Sequence, residues 1–281
     1  MKIALSADST CDITKELKEE FGVHTVPLHV LLGEESRLDG ELSSQEIFDF
    51  VDRSGILPKT SAVNQFQFEE HFESLLKEYD AIIHISISSG ISSAYQNAVN
   101  AAGEFKNVYV IDSLSVSSGM CLLLFYAKGL IDEGKDIDEI VKTLNERAPK
   151  IQTSFVVNTL DYLVKGGRCS ALAAFGANLL KLKPRIVMKD GKMVSDKKYR
   201  GKNNMVIADY CREVLSDFNN PDLEFVGISH ASASPEMIEA ATNILKERGF
   251  KRIFVLDTGC IVASHCGPKG MGILYINDGG K

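Results

Sequence analysis

The sequence has no C-x-x-C pair, no apolar run of membrane-spanning length and no surplus of basic side chains. Each absence removes a class of explanation. Six cysteines occur singly, at Cys11, Cys121, Cys169, Cys211, Cys260 and Cys266. Cys121 and Cys169 stand among apolar or small residues. Spacing and setting suit reduced thiols used as small core residues, as expected in a cytoplasmic protein. Cys260, His265 and Cys266 lie close in sequence, but no second cluster supplies the remaining ligands of a metal site, so none is expected.

The longest apolar run, around "MCLLLFYAKGL", is bounded by Gly119 and Lys128 and is too short to span a bilayer. The opening "MKIALSADSTC" has a short apolar run broken at Asp8, unlike a secretory leader, and Cys11 is a poor lipidation site. The net charge of −7 argues against nucleic acid and anionic membranes, which reward a basic surface. No stable membrane insertion is expected.

Several catalytic signatures are also missing. No G-x-S-x-G elbow and no H-E-x-x-H pair occur. Gly129 to Lys135 approaches a phosphate loop, but Asp136 replaces the magnesium-binding hydroxyl, and Gly134 reads as a helix stop. Gly267-Pro-Lys-Gly270-Met-Gly272 has the wrong order for a dinucleotide fingerprint and precedes a strand. No cofactor is implied.

What remains is a chain of 281 residues, 44% hydrophobic, able to bury a large core. Short apolar runs at 2–7, 23–32, 81–87 and 108–111 read as strands. Ser43-Ser44-Gln45-Glu46 is a capping box opening a helix through Val51. Phe68, Phe72, Leu75 and Leu76 give helical spacing over 66–79. Helices are also predicted over 92–103, over 115–131 as a helix buried all round, and over 136–148. Strands alternating with helices imply a parallel sheet covered on both faces.

The texture changes after residue 150. A strand and short helix lead into a hairpin over 185–194 with Asp190-Gly191 at its turn. A helix over 201–218 and a strand over 223–229 follow. Ser234-Pro235-Glu236 starts a helix that Gly249 stops, before strands at 253–256 and 273–276. Two α/β domains are expected, 1–150 with a parallel sheet and 151–281 with a mixed or antiparallel one.

The stretch with most chemistry is "HISISSGISSAYQNA", from His84 to Ala98. Five serines, Ser86, Ser88, Ser89, Ser92 and Ser93, fall within eight positions around a strand end. Ser92 and Ser93 suit helix caps. Capping alone leaves the other serines unused, whereas hydroxyls holding a small anionic head use them all. A strand end meeting a helix start adds unpaired N–H groups. Thr60 and Ser61 offer two further hydroxyls. Gly267 allows backbone to approach a ligand closely, and His265 stands beside that glycine-rich loop. Arg168 follows Gly166-Gly167 and Arg200 precedes Gly201, cations suited to carboxylate or phosphate.

Taken in order, the run resembles the DegV family along nearly the whole chain. The shared motifs are Asp8-Ser9-Thr10 with Asp12, "KTSAVN" (59–64), "SSGISSAYQNA", "VIDSLSVSSG" (110–119), "LVKGGR" (163–168), Lys183-Pro184 and "HCGPKGMG". The resemblance implies two α/β domains around a lipid tunnel. It also implies a bound long-chain fatty acid and service as the binding subunit of a bacterial fatty acid kinase. A separate ATP-binding subunit would phosphorylate the carboxylate, giving an acyl phosphate for phospholipid synthesis, so the chain itself would be a carrier and not an enzyme. By position, Thr60, Ser61 and Ser92 match hydroxyls near the carboxylate, His265 matches a histidine beside it, and Arg168 and Arg200 match cations for the partner or phosphoryl transfer.

The chain departs from the family pattern at Ser93, Ala94, Cys121 and Cys266, positions that bear on pocket shape. A competing reading makes the chain a stand-alone enzyme on a small phosphorylated or carboxylated metabolite, with His265 as acid/base. A third is a pure interaction domain. The depth and polarity of the pocket discriminate between them.

Overall fold

The computed structural model describes residues 1–169 and 182–280. Four short strands form a wholly parallel sheet in the order β2-β1-β6-β7: β1 (Ile3–Asp8), β2 (Val23–Val26), β6 (Ala81–Ser86) and β7 (Val108–Asp112). The two central strands, β1 and β6, are buried on both faces because helices cover both sides, and one face carries the polar side chains Ser6, Asp8, His84 and Ser86. Each parallel strand ends on the same edge, the place where ligand sites form in open α/β sheets.

The extended run at 23–32 is two strands, not one. Pro27, which lacks an N–H for a ladder, separates them. After it, β3 (His29–Leu32) leaves for a small antiparallel sheet with β4 (Glu35–Leu38) and β5 (Lys59–Ser61). Pairing of Val30 with Thr60 fixes where Thr60 stands.

Helices α1 (Lys15–Phe21), α2 (Ser44–Ser54), α3 (Gln65–Leu76) and α4 (Ala94–Ala102) occupy the connections. The capping box at Ser43 is formed in full: Glu46 N–H donates to Ser43 Oγ, and Ser43 N–H to Glu46 Oε2. In α3, Phe68, Phe72 and Leu75 are buried as their spacing predicts. α5 (Ser118–Asp132) is buried nearly all round along its first two turns. It packs on β1 and β6 of the parallel sheet and on strands of the second sheet. α6 (Ile137–Arg147) completes this part.

The second sheet has six strands in the order β10-β9-β8-β13-β11-β12. These are β8 (Ile151–Val156), β9 (Lys183–Lys189), β10 (Lys192–Tyr199), β11 (Phe225–His230), β12 (Arg252–Asp257) and β13 (Met271–Ile276). All neighbours are antiparallel except β11 and β12, so the sheet is mixed. The β9–β10 turn is Asp190-Gly191, both at positive φ, as a two-residue hairpin requires. Helices α7 (Asp161–Gly166), α8 (Asn203–Asp217) and α9 (Pro235–Arg248) flank it; α9 has Pro235 in its first turn and ends at Gly249.

The approach of α5 to this sheet is close. A Cβ added at Gly227 in β11 would lie 2.2 Å from Ser118 Cβ, so glycine is required there. Between β12 and β13 lies α10 (Cys260–Cys266), a stretch to which the sequence reading assigned no element. His265 therefore sits in the last turn of a helix, and the glycine-rich segment begins as that helix's exit. All six cysteines are buried thiols, and none forms a disulfide among the described residues. Among the described residues no helix is long and apolar enough to cross a membrane.

Candidate functional site

One cavity of about 300 Å³ lies between the strand-end loops of the parallel sheet, β5, α10 and the face of the mixed sheet. α10 forms one wall with Ile261, Val262, His265 and Cys266, the stripe that a helix presents at i, i+1, i+4 and i+5. The facing sheet contributes Thr153, Phe155, Gly272, Leu274 and Ser229. Register accounts for that set, because Phe155 pairs with Gly272 and Gly272 with Ser229, with Thr153 and Leu274 two residues along on the same face.

The rim gathers residues from distant parts of the chain. Thr60 Oγ1 lies 2.8 Å from His265 Nε2. Ser61, Ser92, Ser93 and Arg168 also line it. Thr60 and Ser92 are half-buried, whereas Ser61, Ser93 and Arg168 are exposed. Of the eight residues expected at the site, six line the cavity and two, Gly267 and Arg200, do not. Gly267 ends α10, where an added Cβ would meet the Tyr162 ring at 2.8 Å, while Gly270 and Gly272 line the cavity instead. Arg200 is exposed beyond β10.

The serine run divides by task. Ser86 Oγ donates to Asp8 Oδ2 (2.7 Å) and Ser88 Oγ to the Gly191 carbonyl (2.7 Å). Ser89 is exposed, and its N–H donates to Asp112. Only Ser92 and Ser93 reach the cavity, so the expectation of one anion cradle built from all five is corrected to two. The other three fix the loop that carries them. Neither serves as a conventional cap through the N2 or N3 amide: Ser93 is the N-cap of α4 without a side-chain bond, and Ser92 Oγ accepts from Ala94 N–H at 3.1 Å.

His265 is packed tightly. A Cβ at Gly166 would lie 2.4 Å from its Nδ1, so the glycine of the "KGGR" turn makes room for the ring. Burial, with the Arg168 charge adding to it, pushes the His265 pKa down to about 4, so the imidazole is neutral at physiological pH. In the tautomer that carries its proton on Nε2, His265 donates to Thr60 Oγ1 and the threonine O–H is free for a ligand; in the other, Thr60 donates to the ring. Arg168 Nη1 donates to the Gly166 carbonyl at 2.7 Å, which holds the guanidinium at the rim.

A second histidine, the half-buried His71, is lowered to about 3, chiefly by burial and then by His84. Both folded-state values lie below the ordinary imidazole value of 6.5. The unfolded chain therefore takes up protons first, and stability is fully present above that value and falls as pH drops toward 4. Acidification from pH 7 to about pH 5 should cost a few kcal/mol from the two histidines together. Thermal melts across that range should show a falling Tm. His265→Gln and His71→Gln should each flatten the slope.

Sequence reasoning missed the inner part of the cavity. Thr10, Ser117, Thr153, Ser229 and Thr258 all line it. Ser117 Oγ donates to Asp12 Oδ2, and lies 2.8 Å from Ser229 Oγ. Burial, with Asp39 close by, pushes the Asp12 carboxyl up. The serine density of "VIDSLSVSSG" was the available signal, but serines after a strand read equally well as turn residues. Among the described residues no cluster of side chains suits a metal ion.

A family model described as "Uncharacterised protein, DegV family" matches residues 2–278. A DegV domain-containing protein of Caldanaerobacter subterraneus subsp. tengcongensis is 32% identical over 278 residues, covering 98% of each chain. A protein of Thermotoga maritima named fatty acid-binding protein is 29% identical, over 97% of this chain and 96% of its own. The solved structure described as fatty acid binding of a DegV family protein from Thermus thermophilus superposes with a TM-score of 0.90. It shares 28% identity over 99% of this chain and 100% of the other.

Proposed function

The chain belongs to the DegV family, and from that premise we propose that its cavity holds one long-chain fatty acid. The carboxylate lies at Thr60, Ser61, Ser92 and Ser93 beside His265, and the tail runs inward along α10. The observation that carries this reading is the division of one cavity into a hydroxyl-bearing rim and a wall of Ile87, Ile91, Phe155, Leu163, Ile261 and Val262. Each buried CH₂ contributes ~0.8 kcal/mol, so a sixteen-carbon tail offers up to ~12 kcal/mol before ordering costs. A bare carboxylate is costly to bury, and hydroxyl donors offset that.

In the same reading the chain is a carrier, not an enzyme. It presents the carboxylate to a separate ATP-dependent kinase subunit. A carboxylate oxygen attacks the γ-phosphorus, ADP leaves, and an acyl phosphate forms. Hydroxyl donors and a neutral imidazole hold the carboxylate without the tight ion pair that would quench its nucleophilicity. Arg168 at the rim and Arg200 further out then neutralise phosphate or meet an acidic partner surface. The chain works as two units, 1–150 supplying the carboxylate loops and 151–281 the wall along which the tail lies, in the cytoplasm.

Mass spectrometry of organic extracts from the purified, folded protein tests the first claim. A stoichiometric fatty acid is expected. An empty extract, with failed loading by several fatty acids, would transfer the case to a stand-alone enzyme on a small polar metabolite. Arg168→Ala should change fatty acid affinity by less than ~3-fold, since it touches only the rim, while lowering kinase-dependent turnover by ~10-fold or more. Loss of binding in that variant would place the arginine on the carboxylate itself.

A further inference from the structure

A cavity that took only hydrocarbon beyond its rim would have a dry inner end. This one does not. Thr258 is 5% exposed, lines the cavity, and its Oγ1 finds no hydrogen-bond partner among the described residues. Its neighbour is the Cys266 thiol, which burial pushes up to about 12 and which is at best a weak partner. Thr10, fully buried, has only the Met120 thioether as a partner of its Oγ1 among the described residues, at 3.7 Å. Thr153, 3% exposed, shares one hydrogen with Ser115 across 2.5 Å, which leaves one of the two O–H donors over among the described residues. These groups come from the first strand-end turn, from β8 and from the β12–α10 junction, so three separate elements bring hydroxyl-bearing side chains to the lining of one cavity. Buried hydroxyls left unpaired are costly, and native interiors pair nearly all of them.

We infer that the inner end of the cavity is a second polar subsite, which takes an oxygen substituent carried on the acyl chain. The ligand class is then a hydroxylated fatty acid, held by its carboxylate at the rim and by its hydroxyl at Thr258 with Thr10 and Thr153. The inference rests on the fatty acid reading and deepens it. A hydroxyl both donates and accepts, so one substituent satisfies Thr258 and a neighbour together. Sites built to hydrogen-bond a substituent discriminate against the analogue that lacks it.

Competition binding with stearic acid and a set of mid-chain hydroxystearic acid isomers separates the outcomes. At least one isomer should bind ~5-fold or more tighter than stearic acid. Thr258→Val, which keeps the shape and removes the hydroxyl, should abolish that preference and leave stearic acid affinity equal or higher. If Thr258→Val does not fold, Thr153→Val replaces it, with the same reversal expected. If stearic acid binds and every isomer binds as well or worse, the subsite does not exist and an ordered water answers the threonines, while the fatty acid reading stands. A preference that the variants leave unchanged also overturns it. If neither acid binds, the fatty acid reading fails and takes the subsite with it.

Discussion

Asp8→Ala should lower the melting temperature by roughly 10 °C, a loss of about 3–5 kcal/mol. Asp8 is fully buried at the end of β1. Its Oδ2 accepts from Ser86 Oγ at 2.7 Å and from Ile87 N–H at 2.8 Å, and its Oδ1 lies 3.3 Å from His84 Nε2. The chain continues from His84 Nδ1 to Ser6 Oγ at 2.9 Å and from there to His71 Nε2 at 2.8 Å. Alanine removes the acceptor and strands its donors in the interior, where each unpaired group costs about 1–3 kcal/mol. Asp8→Asn retains one acceptor oxygen and should lose about half as much. Because Ile87 opens the loop that ends at Ser92 and Ser93, the alanine variant should also bind fatty acid more weakly. Differential scanning calorimetry decides the matter: a shift under about 3 °C would mean that the network is not a structural pin.

The second large effect is on binding. Replacing Thr60 by valine and Ser92 by alanine together should reduce affinity for palmitic acid by ~100-fold or more. A hydrogen bond to a charged group contributes about 1.5–3 kcal/mol, and two such bonds are removed. The fold should be nearly unaffected, because both side chains are half-buried at the rim. Thr60→Ser keeps the hydroxyl and should recover most of the affinity. A double variant within ~3-fold of wild type by isothermal titration calorimetry would remove the carboxylate from this rim.

How far the fold could be read depended on how long each element was. β1, β6 and β13 are apolar runs that only a covered sheet explains, and the capping box at Ser43 and the Asp190-Gly191 turn carry their own geometry. α10 was missed because seven residues with β-branched Ile261 and Val262 among them carry too little periodicity to distinguish helix from strand. The rim was legible in part through motif order, which placed Thr60, Ser92 and His265 in one list. Nothing local says that Thr60 and His265, 205 residues apart, touch. Gly166 was legible as a turn but not as the space that His265 needs. The inner threonines were illegible because a single Thr at a strand position reads as β propensity, and only register shows Thr153 on the cavity face beside Leu274.

The helix α5 has a consequence for how this protein is made. Its buried faces pack against β1 and β6, which leave the ribosome before it, and against β11 and β13, which come well after it. Roughly 140 residues separate its end from the end of β13, and at about 5–20 residues per second that interval is on the order of 10 s. Throughout it the nascent chain carries an apolar helix with one side covered and the other bare. A chaperone that shields such a surface has most to do in that window, and a chain truncated before β11 should be aggregation-prone even with its parallel sheet complete.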